Sequence, residues 1–121
     1  APANLTPGAA FTTTLYWRAQ GSAPMDYSVF VHVVGPAGAT WTQSDAWPAQ
    51  GSAPTSSWVA GQVIEDVHAM TLPAEAPPGR YTIYVGLYDA ESGGRVPLTG
   101  EDGARFEDDR APVGTFEVWE E

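Results

Sequence analysis

Apolar and polar positions alternate with a period of two along most of this chain. From Phe11 to Arg18, the residues Phe11, Thr13, Leu15 and Trp17 share one face, and Thr12, Thr14, Tyr16 and Arg18 share the other. After Pro77-Pro78-Gly79 the pattern returns, with Tyr81, Ile83, Val85 and Leu87 opposite Arg80, Thr82, Tyr84, Gly86 and Tyr88. Such alternation, rich in β-branched and aromatic residues, marks half-buried β-strands. The segment Asp26 to Val34 is apolar on both faces: Tyr27, Val29, Val31 and Val33 oppose Ser28, Phe30, His32 and Val34. This predicts a central strand covered on both sides. Further strands are expected near Thr40 to Ala46, Gln62 to Leu72 and Val113 to Trp119, with a short return strand from Arg95 to Leu98. Asn4 to Gly8 reads as a lead-in turn, and no segment holds a helical period beyond one turn.

The breakers agree with the strands. Thirteen glycines and eleven prolines are dispersed between apolar segments, at Gly35-Pro36-Ala37-Gly38, through the long loop Ala46 to Gly61, and at Pro77 to Gly79. Short strands at this spacing predict an all-β fold, an immunoglobulin-like two-sheet antiparallel β-sandwich of seven or eight strands. The Gly79-Arg80-Tyr81 step matches a tyrosine corner, in which the phenol hydroxyl pins the loop that precedes its strand. A chain of 121 residues fits one domain spanning 1–121, with no internal repeat.

Composition narrows the setting more than the chemistry. Fifteen acidic residues face five basic ones, all arginine, for a net charge of −10. That balance repels phosphate backbones and anionic lipid, which argues against nucleic-acid partners. No run approaches the roughly 20 apolar residues of a membrane-spanning helix, so direct insertion by this segment is not expected. Without cysteine there is neither a disulfide nor a thiolate metal site. The sequence opens on Ala1, which is consistent with a mature form after signal removal or with a piece of a longer protein.

One set of motifs points to a family. Leu15-Tyr16-Trp17-Arg18, Tyr27-Ser28-Val29-Phe30-Val31-His32, Gln43 and Asp45 form its first part. Pro54-Thr55-Ser56-Ser57-Trp58, Gly61, Asp66 and His68 follow, and Pro77 to Asp89 with Gly94-Arg95 completes it. In this order they resemble the extracytoplasmic β-sandwich domain appended to bacterial polytopic, mannosyltransferase-like membrane glycosyltransferases. The resemblance runs from about Pro7 to Val118. It implies a non-catalytic accessory or interaction module outside the cytoplasm, whose partners are other chains or domains of a larger assembly. The chain departs from the family in lacking a membrane helix and in its long acidic stretch after Thr99.

Two groups of side chains stand out as candidates. Five tryptophans are present, and Trp41, Trp47 and Trp58 border one loop. If exposed, they would form a stacking platform for a glycan, with Asp45 as a polar clamp; Trp17 and Trp58 otherwise read as plugs between sheets. This carbohydrate-binding reading is the first alternative. His32, Asp66, His68 and Tyr81 read as a structural polar network, since two histidines without motif spacing make a poor metal site. The acids from Glu101 to Asp109, with Asp89 and Glu91, follow no calcium-loop pattern. No nucleophile elbow, phosphate loop or paired carboxylate signals catalysis, and no cofactor or metal is expected. A structural subunit of a surface filament or membrane complex, joined through strand edges, is the second alternative.

Overall fold

The computed structural model describes residues 4–100 and 102–119. Seven strands run through the described residues, all but the first where the alternation places them: β1 (Asn4–Leu5), β2 (Ala10–Arg18), β3 (Ser28–Val34), β4 (Thr40–Ala46), β5 (Val63–Thr71), β6 (Gly79–Tyr88) and β7 (Ala111–Val118). They form a five-stranded sheet in the order β1-β7-β6-β3-β4 and a two-stranded sheet of β2 and β5. The remaining ordered turns are short 3-10 segments, among them Pro48–Gly51, Thr55–Ser57 and Glu107–Asp109.

Two expectations need correction. The larger sheet is mixed rather than antiparallel, because β1 runs parallel to β7, pairing Asn4 with Glu117 and Leu5 with Val118. The β1 strand replaces the expected lead-in turn, since two residues are too few to show a period. The expected return strand Arg95 to Leu98 is reduced to a single bridge between Tyr88 and Arg95. The bond from the Val96 N–H to the Leu87 carbonyl is part of that bridge.

The inner faces follow the alternation closely. Phe11, Thr13 and Leu15 of β2 and Ile64, Asp66, His68 and Met70 of β5 are all buried. Opposite them lie Val29, Val31 and Val33 of β3, Tyr81, Ile83 and Val85 of β6, and Phe116 and Val118 of β7. Burying each such apolar side chain stabilises the fold by roughly 1.5–3 kcal/mol, which is the main force holding the two sheets together. β3 is buried on its outer face as well, as expected of a central strand: Phe30 is only 2% exposed. Gly86, its cross-strand partner on β6, makes room for the Phe30 ring. A Cβ there would collide with that ring and stand 2.9 Å from the Asp109 carbonyl oxygen.

The tyrosine corner is formed. Tyr81 is fully buried, stacks on Phe116 with ring centroids 5.5 Å apart, and donates its hydroxyl to the Pro77 carbonyl at 2.6 Å. Gly79 enters β6 with φ of 142°, in the region that favours glycine.

The two ends of the molecule differ. At one end the strands are joined by tight connections at 6–9, 35–39 and 72–78. At the other, the connections 19–27, 47–62 and 89–110 gather together.

Replacing Tyr81 by Phe removes one buried hydrogen bond and is expected to lower unfolding stability by about 1 kcal/mol. Gly86→Ala crowds the Phe30 ring and is expected to cost about 1–3 kcal/mol. Urea unfolding followed by circular dichroism measures both, and an unchanged midpoint for Gly86→Ala would contradict the close packing of Phe30.

Candidate functional site

The long-loop end is built on two buried polar side chains. Asp66 points inward from β5 and is 1% exposed, so its carboxylate must find donors inside the protein. It finds three. Trp17 Nε1 on β2 donates to Oδ2 at 3.1 Å, and the Ala49 N–H of the Pro48–Gly51 turn donates to Oδ1 at 3.0 Å. His68 Nε2 lies 2.9 Å from Oδ2, and His68 Nδ1 lies 2.8 Å from Ser44 Oγ. Since a carboxylate only accepts, Nε2 carries the proton of the His68–Asp66 bond. The chain Ser44–His68–Asp66 thus runs from β4 in the larger sheet to β5 in the smaller one.

Burial alone would raise the Asp66 pKa above its ordinary 3.8, but the hydrogen bonds from His68, Trp17 and Ala49, with the charge of His68, hold it below that value. Serine, histidine and aspartate in a row invite comparison with a hydrolytic triad. Here, however, His68 is 3% exposed, and the carboxylate is shared with an indole and a backbone amide. What the arrangement does chemically is fix the sheets and the 48–51 turn relative to one another.

Thr55 is the second anchor. Also fully buried, it accepts from the Tyr27 N–H at 3.0 Å and donates to the Met25 carbonyl at 2.8 Å. Ala23 N–H bonds to the Thr55 carbonyl and Ser56 N–H to Asp26 Oδ1, so connection 47–62 is stitched to connection 19–27. Trp58 closes the seam: its ring packs on Trp17 at 6.3 Å and its Nε1 donates to the Ala53 carbonyl. Between these loops and the β6 hairpin opens a recess of about 540 Å³, lined by the segment 19–23 together with Arg18, Tyr27, Thr55, Trp58, Leu87 and Val96. Such a concavity, apolar with a few fixed polar groups, is the usual form of a ligand site.

The residues singled out in the sequence separate into distinct places. Asp66 and His68 do form one buried network. His32 does not join it: it lies half-buried on the outer face of β3 beside Phe30, with ring centroids 4.8 Å apart. Tyr81 serves the opposite end of the molecule, through Pro77. The three tryptophans do not make one exposed row. Trp58 is buried, and Trp47 is 44% exposed at the start of the long loop. Trp41 sits at the far end of β4, about 20 Å from Trp47 at the usual rise of a strand, partly buried against the core. Its Nε1 is buried without a partner among the described residues. Asp45 faces outward and accepts from the Tyr88 hydroxyl at 3.0 Å.

Glu101 lies outside the described residues. Of the acids that follow it, Asp109 is held by Arg105 through two bonds of 2.7 Å. No cluster of three His, Cys, Asp or Glu suited to a metal occurs among the described residues, nor does any helix there reach the length and apolarity needed to cross a membrane.

Sequence reading missed Ser44, Thr55, Tyr27 and Arg18. Ser44 had a signal: Thr42, Ser44 and Ala46 put small residues on the inner face of β4, which leaves space opposite His68. Thr55 had none, being one hydroxyl among several in its loop. No protein-family model matches this chain, and no curated protein matches it either.

Asp66→Ala is expected to lower stability by about 3–5 kcal/mol, because it strands the donors of a buried charge. Ionised Asp66 contributes fully above about its unfolded pKa of 3.8, and that contribution is lost as pH falls through the lower folded value. Acid unfolding of Asp66→Asn should therefore lack the part of the wild-type decline that lies below that pH. An identical acid limb in both proteins would rule this out.

Proposed function

We propose that this chain is a non-catalytic, extracytoplasmic accessory or interaction module of a larger protein or assembly, folded as an immunoglobulin-like sandwich. The sandwich reading is supported by two sheets with inward-facing apolar residues, β1 running beside β7, and the Tyr81 corner. One observation carries the functional reading. Three long connections converge at one end around the 540 Å³ recess. Two of them, 19–27 and 47–62, are held there by the side chains of Asp66 and Thr55 rather than left free. Loops fixed on a rigid scaffold pay little entropy on binding, which is how recognition modules gain affinity. The aligned Ser44, His68 and Asp66 are taken up in that fixing, with His68 and Asp66 buried.

A second reading, an assembly subunit joined by strand edges, is favoured by the free edge of β2. It pairs only with β5, so every second residue directs its N–H and C=O away from the sheet. Beside it runs a groove of about 340 Å³ along Leu15, Trp17, Val85 and Val113. Over its nine residues β2 has no proline and only Arg18 as a charge, so the usual protections of an edge are sparse.

Selection of displayed peptides and a glycan array against the folded protein test the first reading. Binders should lose about tenfold in affinity for Val96→Asp, which places a charge in the recess. Binding indifferent to that substitution would put the site elsewhere. Turnover of an activated ester that vanishes in Ser44→Ala would overturn the non-catalytic reading. For the edge reading, sedimentation at high concentration should show self-association that Thr14→Pro abolishes; a monomer throughout dismisses it.

A further inference from the structure

The outer face of the five-stranded sheet carries a second concavity, on the opposite side of β6 from the loop-end recess. It is a cup of about 190 Å³ lined by Phe30, His32, Asp45, Tyr88, Gly93 and Arg95. Four elements build it: β3 supplies Phe30 and His32, β4 supplies Asp45, β6 supplies Tyr88, and the hairpin 89–95 supplies Gly93 and Arg95. Tyr88, Asp45 and Arg95 are positioned by their bonds. Tyr88 donates to Asp45 Oδ2 at 3.0 Å. The Arg95 guanidinium rests 4.4 Å above the centre of the Phe30 ring and donates Nη1 to the Asp108 carbonyl at 2.9 Å. Asp89 closes the hairpin by accepting from the Glu91 N–H and the Ser92 hydroxyl, which holds Gly93 at the rim.

The charges decide what fits. Asp45 and Arg95 face one small cup, yet among the described residues no ion pair joins them. A free anion would meet the Asp45 carboxylate and the −10 charge of the chain. A free cation would meet Arg95, with Arg110 nearby on Tyr84. Neutral hydroxyls have no such conflict, since each both donates and accepts. They can donate to Asp45, accept from Arg95, and do either with an uncharged imidazole. Burial, with the charges of Arg95 and Arg110, holds His32 below its ordinary pKa of 6.5 against the opposing pull of Asp45, so it is uncharged near neutrality. The rings of Tyr88 and His32 line the cup and offer apolar surface to the C–H groups of a pyranose.

We infer that this cup is a subsite for one neutral sugar residue, held between Asp45 and Arg95 against Tyr88 and His32. It is independent of the loop-end recess, and of the expected tryptophan platform it keeps only Asp45. The test is a titration of ¹⁵N-labelled protein with methyl glycosides of glucose, galactose, mannose and N-acetylglucosamine, followed by amide shifts. At least one glycoside should move the amides of Asp45, Tyr88, Gly93 and Arg95. Asp45→Ala and Arg95→Ala should each weaken that binding about tenfold. Both side chains are at the surface, so the variants should keep the wild-type melting temperature. Free glycine and inorganic phosphate are the controls for zwitterion and anion. The inference fails if no glycoside moves these amides, if glycine or phosphate moves them instead, or if the shifts survive both substitutions. Shifts confined to Tyr27, Thr55 and Val96 would assign the sugar to the recess and equally overturn the cup.

Discussion

Everything at the long-loop end of this protein depends on the carboxylate of Asp66. A charge taken almost wholly out of water is tolerable only if fixed donors replace its hydration, and here they come from three different elements. Trp17 belongs to β2, His68 to β5, and the Ala49 amide to the turn that opens the longest loop between strands of different sheets. Through His68 the network continues to Ser44 on β4, so one anion joins both sheets and a loop. The interaction is conditional in a useful way. Any excursion of the 48–51 turn leaves a buried oxygen without its donor, and the cost of that rises steeply in a low-dielectric interior.

This explains why long loops can coexist with a defined recess. Loops of such length ordinarily sample many conformations, and the ordering cost falls on whatever binds them. Here the cost is met during folding. Asp66 holds the 48–51 turn, Thr55 joins that loop to 19–27, and Trp58 packs over the junction. The opposite end needs no such device, because its connections are tight and the Tyr81–Pro77 bond secures the one that matters for β6. The molecule therefore has a closed end and an end carrying shape.

The strands were legible because alternation is a local property. β4 was expected from Thr40 to Ala46 and runs over those residues. The faces of β2 were assigned correctly from sequence too, down to the buried Thr13. Properties that depend on contacts between elements were harder. Trp41 and Trp47 are close in sequence, yet an extended strand separates them by its whole length, so proximity along the chain implied a cluster that the fold takes apart. His32 shares its residue type with His68 but sits on the other side of β3, where period-two reasoning already placed it opposite Val31. The parallel pairing of Asn4 and Leu5 with β7 depends on the far end of the chain and has no local trace.

The arginines tie these observations together. With five cations against fifteen acids, each placement of an arginine is also a choice of where the surface is not negative. Arg80 pairs with Glu117 and Arg105 with Asp109, both at exposed positions where such pairs contribute little to stability. Arg95 and Arg110 are used differently, laid over the rings of Phe30 and Tyr84, where weak hydration lets a guanidinium sit flat on an aromatic face. Arg18, the last, stands at the wall of the loop-end recess without an ion pair among the described residues. Both concavities thus pair an arginine with aromatic side chains on an otherwise acidic molecule. A ligand approaching this surface meets repulsion nearly everywhere if it is anionic, and at these two places it meets donors beside apolar walls. Selectivity by charge follows from composition; selectivity by shape follows from Asp66, Thr55 and the hairpin that carries Arg95.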